Sequence, residues 1–158
     1  MDSATPITIT PEDLAAPWQR FVAAAVDGLL LGVPWGFLLA VLYFEDDPSS
    51  FEVPLWFTAV ATVLFAAYQV VGTALWGQTV GKHVVGVRVC SGRDLGRPGW
   101  LRSFKRWGVF VIPGFVPFVG GLLSLLIPLP LLWTTNRQGL HDKFADTLVL
   151  RDEAVPWA

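Results

Sequence analysis

The chain has 158 residues, a net charge of −2, a mean hydropathy of +0.53 and eight tryptophans, with only 15% charged residues. One domain is the expectation from length, and this apolar balance sets the chain among membrane proteins and excludes a typical soluble enzyme domain or a disordered segment. Its one cysteine, Cys90, excludes an intramolecular disulfide.

Residues 1–17 carry Asp2, Glu12 and Asp13 with Pro6, Pro11 and Pro17 breaking any periodicity, and read as a polar N-terminal tail. With no basic n-region and no small-residue cleavage pattern, no signal peptide is expected, so the first apolar segment is an anchor. From Phe21 to Phe44 every residue is apolar or small except Asp27. That exceeds the about 20 residues that cross a hydrocarbon core as a helix. An aspartate inside such a span costs about 2.5–3.5 kcal/mol, so it needs a partner or a use. Arg20, seven residues earlier, shares its helix face about 10 Å away, too far for a direct pair. From there Arg20 reaches the headgroups, which Asp27 does not.

The loop that follows is acidic, with Glu45, Asp46, Asp47 and Glu52, and a second span is expected over 55–76, bracketed by Trp56 and Trp76. Inside it Gln69 and Thr73 are candidate hydrogen-bond partners for Asp27. After Gly77 the chain turns basic: Lys82, Arg88, Arg93, Arg97, Arg102, Lys105 and Arg106 lie in one loop. The positive-inside tendency then makes loop 77–106 cytoplasmic and loop 45–54 extracytoplasmic in a multi-pass protein of the cell membrane. Position between two apolar spans argues for anionic headgroups against residues 82–106, and no nucleic acid is expected as a partner.

Gly77 to Lys82 has three residues between its glycines and is followed by His83, so it is not a phosphate-binding P-loop. Val85, Val87 and Val89 alternate as a short strand. Trp100, Phe104 and Trp107 share a helical face beside basic residues and predict an interfacial helix. The apolar stretch from Trp107 to Trp133 contains Pro113, Pro117, Pro128 and Pro130, and is either one tilted, broken span or a hairpin of two short helices turning near Gly120. Arg137, Lys143 and Arg151 after it favour the hairpin and a cytoplasmic C-terminus. Thr147–Leu150 reads as a second strand, able to pair with the first only from the same side. The fold class expected is an all-α polytopic membrane protein with a small two-strand β element.

Three pieces carry a resemblance: Arg20–Asp27 opening the first span, Gly77–Val89 after the second, and Arg137–Val149 near the end. Together they resemble the RDD family of bacterial membrane proteins, named for one arginine and two aspartates. The resemblance spans Trp18 to Leu150, which gives an RDD-like membrane domain over 18–150 and a C-terminal tail over 151–158. It implies that Arg20, Asp27 and Asp142 are the name-giving residues, with Lys82 and His141 in the accompanying motifs, and that Asp146 stands where the family pattern has glycine. Transport of a ligand or ion is suspected for the family, and no reaction chemistry comes with it.

His141-Asp142 has too few companion ligands for a metal phosphohydrolase, since His83 is the only other histidine, so no metal, cofactor or enzymatic activity is expected. The candidate site is one polar cluster of Arg20, Asp27, Lys82, His141 and Asp142 on the cytoplasmic side, with Gln69 and Thr73 secondary. It serves ion or small-solute transport, or else holds together a scaffold that docks lipid or a partner. At this size a transporter is expected to form homo-oligomers or join another membrane protein, because so few helices enclose little volume.

Overall fold

The computed structural model describes residues 9–43, 53–115 and 120–157. Residues 1–8, the acidic side chains of loop 45–52, Phe44 and Pro117 lie outside the described residues. Helix α1 runs Pro17–Tyr43 and α2 runs Leu55–Trp76. Both are long and apolar enough to cross a membrane, with hydropathies of 1.9 and 1.6 over their most apolar windows. Only 6% and 17% of those windows is buried within the chain, the opposite of a soluble core helix. Proline opens α1, where the missing N–H is no loss.

Gly77, at φ +67°, ends α2 in a left-handed turn whose N–H bonds the Thr73 carbonyl. The chain then enters the short helix α3 (Val80–Val84), strand β1 (Val87–Ser91) and helix α4 (Gly99–Val111). Beyond α4 the apolar stretch is broken rather than continuous. A 3₁₀ turn at Ile112–Phe115, helix α5 (Gly120–Leu126) and a second 3₁₀ turn at Leu129–Leu132 follow the prolines that interrupt an α-helical ladder. Helix α6 (Leu140–Ala145) leads into β2 (Thr147–Arg151).

Strands β1 and β2 pair antiparallel, Val89 opposite Val149, so the two basic stretches that contain them lie on one side. The expected strands are present, the first displaced two residues toward the C-terminus. Val87, Val89 and Val149 face one way with Ala15; Cys90, Leu148 and Leu150 face the other with Leu14, Leu95 and Val155. Both faces are buried, so each strand is apolar on both sides. The segment expected as a polar tail supplies part of this: Leu14 bridges to Leu150, and Ala15 N–H donates to the Val149 carbonyl at 3.0 Å. The C-terminal residues pack as well. Trp157 stacks between Arg88 and Arg97 and donates its indole N–H to the Leu95 carbonyl at 2.7 Å. Helix α3 packs on α1, and α4 packs on α2 and α6, which brings a cap made of α3, the strand pair, α4 and α6 against the two long helices.

Candidate functional site

The residues expected to form one cluster occupy two adjacent centres. Asp27 is 2% exposed and anchors the first. Its Oδ1 accepts the Tyr68 hydroxyl at 2.6 Å and the Gly81 N–H at 2.8 Å. Its Oδ2 accepts the Thr79 hydroxyl at 2.6 Å and the Gln69 amide at 3.4 Å. A carboxylate has about four acceptor positions, so the side chain is saturated by groups from α2 and from the chain entering α3. The Val80 N–H donates to the Tyr68 oxygen at 2.8 Å, fixing the hydroxyl rotor toward Asp27. Gln69 is thus one of the donors to Asp27. Thr73 is buried, yet the donors to Asp27 among the described residues are Tyr68, Gln69, Thr79 and Gly81.

Glycine at position 81 has a steric reason. A Cβ there would lie 2.1 Å from the Ala23 carbonyl oxygen and 2.9 Å from the Asp27 carboxyl, so only a glycine backbone approaches α1 this closely. The Gly-Gln-Thr-Val-Gly run, which fails as a phosphate loop, is a loop built to meet a carboxylate instead.

Lys82 extends this centre. Its ammonium donates to Gln69 Oε1 at 3.3 Å and Thr79 Oγ1 at 3.2 Å, the two side chains that also hold Asp27 Oδ2. Burial, reinforced by Arg106 and opposed by Asp27, brings its pKa down to about 7.

Asp142 anchors the second centre, with a side chain fully buried in the first turn of α6. It accepts Arg20 at 2.9 Å and also the guanidinium of Arg106. It closes its own helix by accepting the Gly139 N–H at 3.2 Å. Arg20 therefore turns inward rather than out to headgroups: its side chain is 9% exposed, and a second nitrogen reaches the Val149 carbonyl. The carboxylate that engages Arg20 is Asp142 rather than Asp27. Lys82 and Asp142 do not pair; Lys82 belongs to the Asp27 centre. His141 lies edge-on to Phe110, its Nε2 3.6 Å from Asp142. Burial first, then Arg106, Arg20 and Lys82, push its pKa well below the usual imidazole range, so it is neutral here.

Sequence reasoning missed Tyr68, Thr79 and Arg106. Tyr68 adjoins Gln69, and an intramembrane acid in need of donors is the signal that points to both. Arg106 sits among basic residues assigned to headgroups, and nothing local distinguishes it from Lys105.

Asp146 at φ +54° ends α6 in the left-handed region, which is the conformation a glycine favours at a helix C-terminus. Aspartate tolerates it better than most residues, and here its carboxylate also takes Arg93 at 2.9 Å and Arg102 at 3.6 Å.

The RDD family model matches residues 14–146, from the strand-like Leu14 through the Asp27 and Asp142 centres to Asp146. The chain belongs to the RDD family. It is also similar to the uncharacterized membrane protein YteJ of Bacillus subtilis (strain 168), at 24% identity over 86% of this chain and 80% of that protein. No solved structure matches. Within the matched span Arg20 and Asp142 are thus bonded to each other, while Asp27 holds a separate centre with α2 and α3.

Proposed function

We propose that this RDD-family protein exchanges a monovalent cation for a proton at the Asp27–Lys82 centre. One observation carries the reading: the Lys82 ammonium rests on Gln69 Oε1 and Thr79 Oγ1 beside the Asp27 carboxylate, the place a small cation would take among those oxygens. Arg20 and Arg106 offset Asp142 and Asp27, so the buried charges balance when Lys82 is neutral. A proton on Lys82 and a cation on the oxygens add the same single charge. The exchange therefore runs in two states of equal charge. In one, Lys82 is protonated and holds Gln69 and Thr79. In the other its proton has left, the amine withdraws, and the cation takes Asp27 Oδ2, Thr79 Oγ1 and Gln69 Oε1. No covalent chemistry is involved.

The orientation that goes with this reading has α3, the sheet and the C-terminus in the cytoplasm, in line with the basic residues around them. The same reading takes the apolar segment 107–133 as a hairpin that returns to the cytoplasmic side rather than a single crossing. Trp107 and Val111 of α4 line one crevice with Ala61–Phe65, midway along α2, and the Leu140 N–H returns to the Ile127 carbonyl while α6 packs on α4. Two spans and a hairpin enclose little volume, so the pathway is completed by further copies.

A second reading, a membrane scaffold whose polar centres only lock the cap to the spans, is favoured by the four hydrogen bonds that saturate Asp27. Binding of radioactive sodium to purified protein separates the two. Exchange requires binding that strengthens from the acid to the alkaline side of neutrality and is lost in Asp27→Asn. A scaffold shows no saturable binding at either pH, with sodium, potassium or lithium.

A further inference from the structure

Asp152 opens a 3₁₀ turn, Asp152–Ala154, directly after β2, and it meets the chain between α2 and β1 at three points. Its Oδ1 accepts the Gln78 side-chain amide at 2.7 Å and the Arg88 Nε at 2.9 Å, and its backbone N–H donates to the Gly86 carbonyl at 3.0 Å. These contacts stand at both ends of residues 78–88. That segment carries Thr79 and Gly81, which donate to Asp27, and Lys82. The turn is itself held in place: Val155 is 7% exposed in the core with Leu14 and Leu150, and a Cβ on Gly77 would fall 2.8 Å from the Trp157 ring, so that indole rests on the Gly77 backbone.

Residues 78–81 depend on such outside holds. Helix α3 has five residues, well short of the about 12 at which a helix becomes even marginally stable alone. The backbone N–H groups of Gln78, Val80 and Gly81 go to the Gly72 carbonyl, the Tyr68 hydroxyl and the Asp27 carboxylate, not to a regular ladder. Gln78 is buried, and its amide spans from the Val87 carbonyl at 3.2 Å to Asp152. The next residue is Thr79, whose hydroxyl Asp27 Oδ2 accepts at 2.6 Å. We infer that Asp152 is a positioning residue for the Asp27 centre: through Gln78 it holds Thr79 and Gly81 on the Asp27 carboxylate. The consequence for cation affinity rests on the cation–proton reading above, while the positioning of Thr79 and Gly81 does not.

Amide hydrogen exchange of the full chain in phospholipid nanodiscs tests this, with sodium binding measured on the same samples. Asp152→Ala should speed amide exchange about tenfold in peptides covering 78–84 and leave peptides covering 147–151 at native rates. Its pair with Arg88 is partly exposed, 18% and 29%, so the global unfolding midpoint should move little. Asp152→Asn keeps an acceptor oxygen for Gln78 and should recover most of the protection. Gln78→Leu leaves the Arg88 pair intact and should match Asp152→Ala over 78–84, whereas Arg88→Met leaves the Gln78 contact intact and should not. Sodium affinity should fall in Asp152→Ala and return in Asp152→Asn. Native amide rates over 78–84 in Asp152→Ala, a rise of equal size over 147–151, or native sodium affinity in Asp152→Ala would each overturn the inference. If the native protein binds no sodium and amide exchange over 78–84 still follows Asp152, the cation–proton reading falls and the positioning role stands.

Discussion

Asp142 joins Arg20 from the first turns of α1 to Arg106 from α4, accepting Arg20 at 2.9 Å with its own side chain fully buried. Three elements far apart in sequence are thus tied at one carboxylate. Removing one partner of a buried pair strands the other, at a cost of about 3–5 kcal/mol. Asp142→Asn, which leaves two guanidiniums facing each other, should therefore lower stability by about that amount in detergent, read from unfolding midpoints. Arg93→Ala breaks an exposed pair with Asp146 and should cost no more than about 1 kcal/mol. Equal effects from the two substitutions would show that the buried pair is solvated.

Gly81→Ala should damage the protein more than its size implies. The added methyl falls 2.1 Å from the Ala23 carbonyl, a backbone atom that cannot rotate aside. Overpacking of this kind costs about 1–3 kcal/mol and here also shifts the Gly81 N–H away from Asp27. Reduced accumulation in membranes together with a lowered midpoint is the expected result. At Gly86, where a Cβ would meet nothing, the positive φ of +66° is the only objection to alanine, so Gly86→Ala should be the milder change.

Lys82 gives stability a pH dependence with a definite sign. Its folded pKa, about 7, lies below the ordinary lysine value of 10.5, so between those two pH values the unfolded chain holds the extra proton. Stability from this group therefore rises with pH from about 7 toward 10.5 and is at its lowest below 7, where both states are protonated. Lys82→Met should flatten this rise. A slope of the same size in the variant would assign the dependence to another group.

Asp146→Gly separates backbone from charge at the end of α6. Glycine relieves the left-handed φ of +54° but loses the contacts to Arg93 and Arg102. Each effect is about 1 kcal/mol and they oppose, so the net change should be small at low salt. Added salt screens the ion pairs in the native protein alone, so the variant should gain relative stability as ionic strength rises.

The long helices and the strand pair were legible in the sequence because period and length alone determine them: the apolar run after Arg20, the second run ending at Trp76, and the valines around Val87 and Val149. Asp27 stood out because a charge in an apolar run is costly and needs a partner or a use. What remained hidden is pairing over long separations. Arg20 and Asp142 are 122 residues apart, and Arg106 looks locally like any other cation of the basic loop. The role of residues 13–15 in the sheet was also hidden, since one bridge at Leu14 leaves no period to read.

The central claim is that a proton on Lys82 and a cation among Asp27, Thr79 and Gln69 replace one another. It is tested most directly in proteoliposomes containing only this protein and a pH-sensitive dye in the lumen, after an external pulse of sodium, potassium or lithium. Exchange predicts that cation entry raises the luminal pH, that Asp27→Asn abolishes the signal, and that Lys82→Met uncouples the cation from the proton while the protein still inserts. No proton movement with any of the three cations, from protein that is folded and correctly inserted, would contradict the exchange and leave Asp27 as a structural lock.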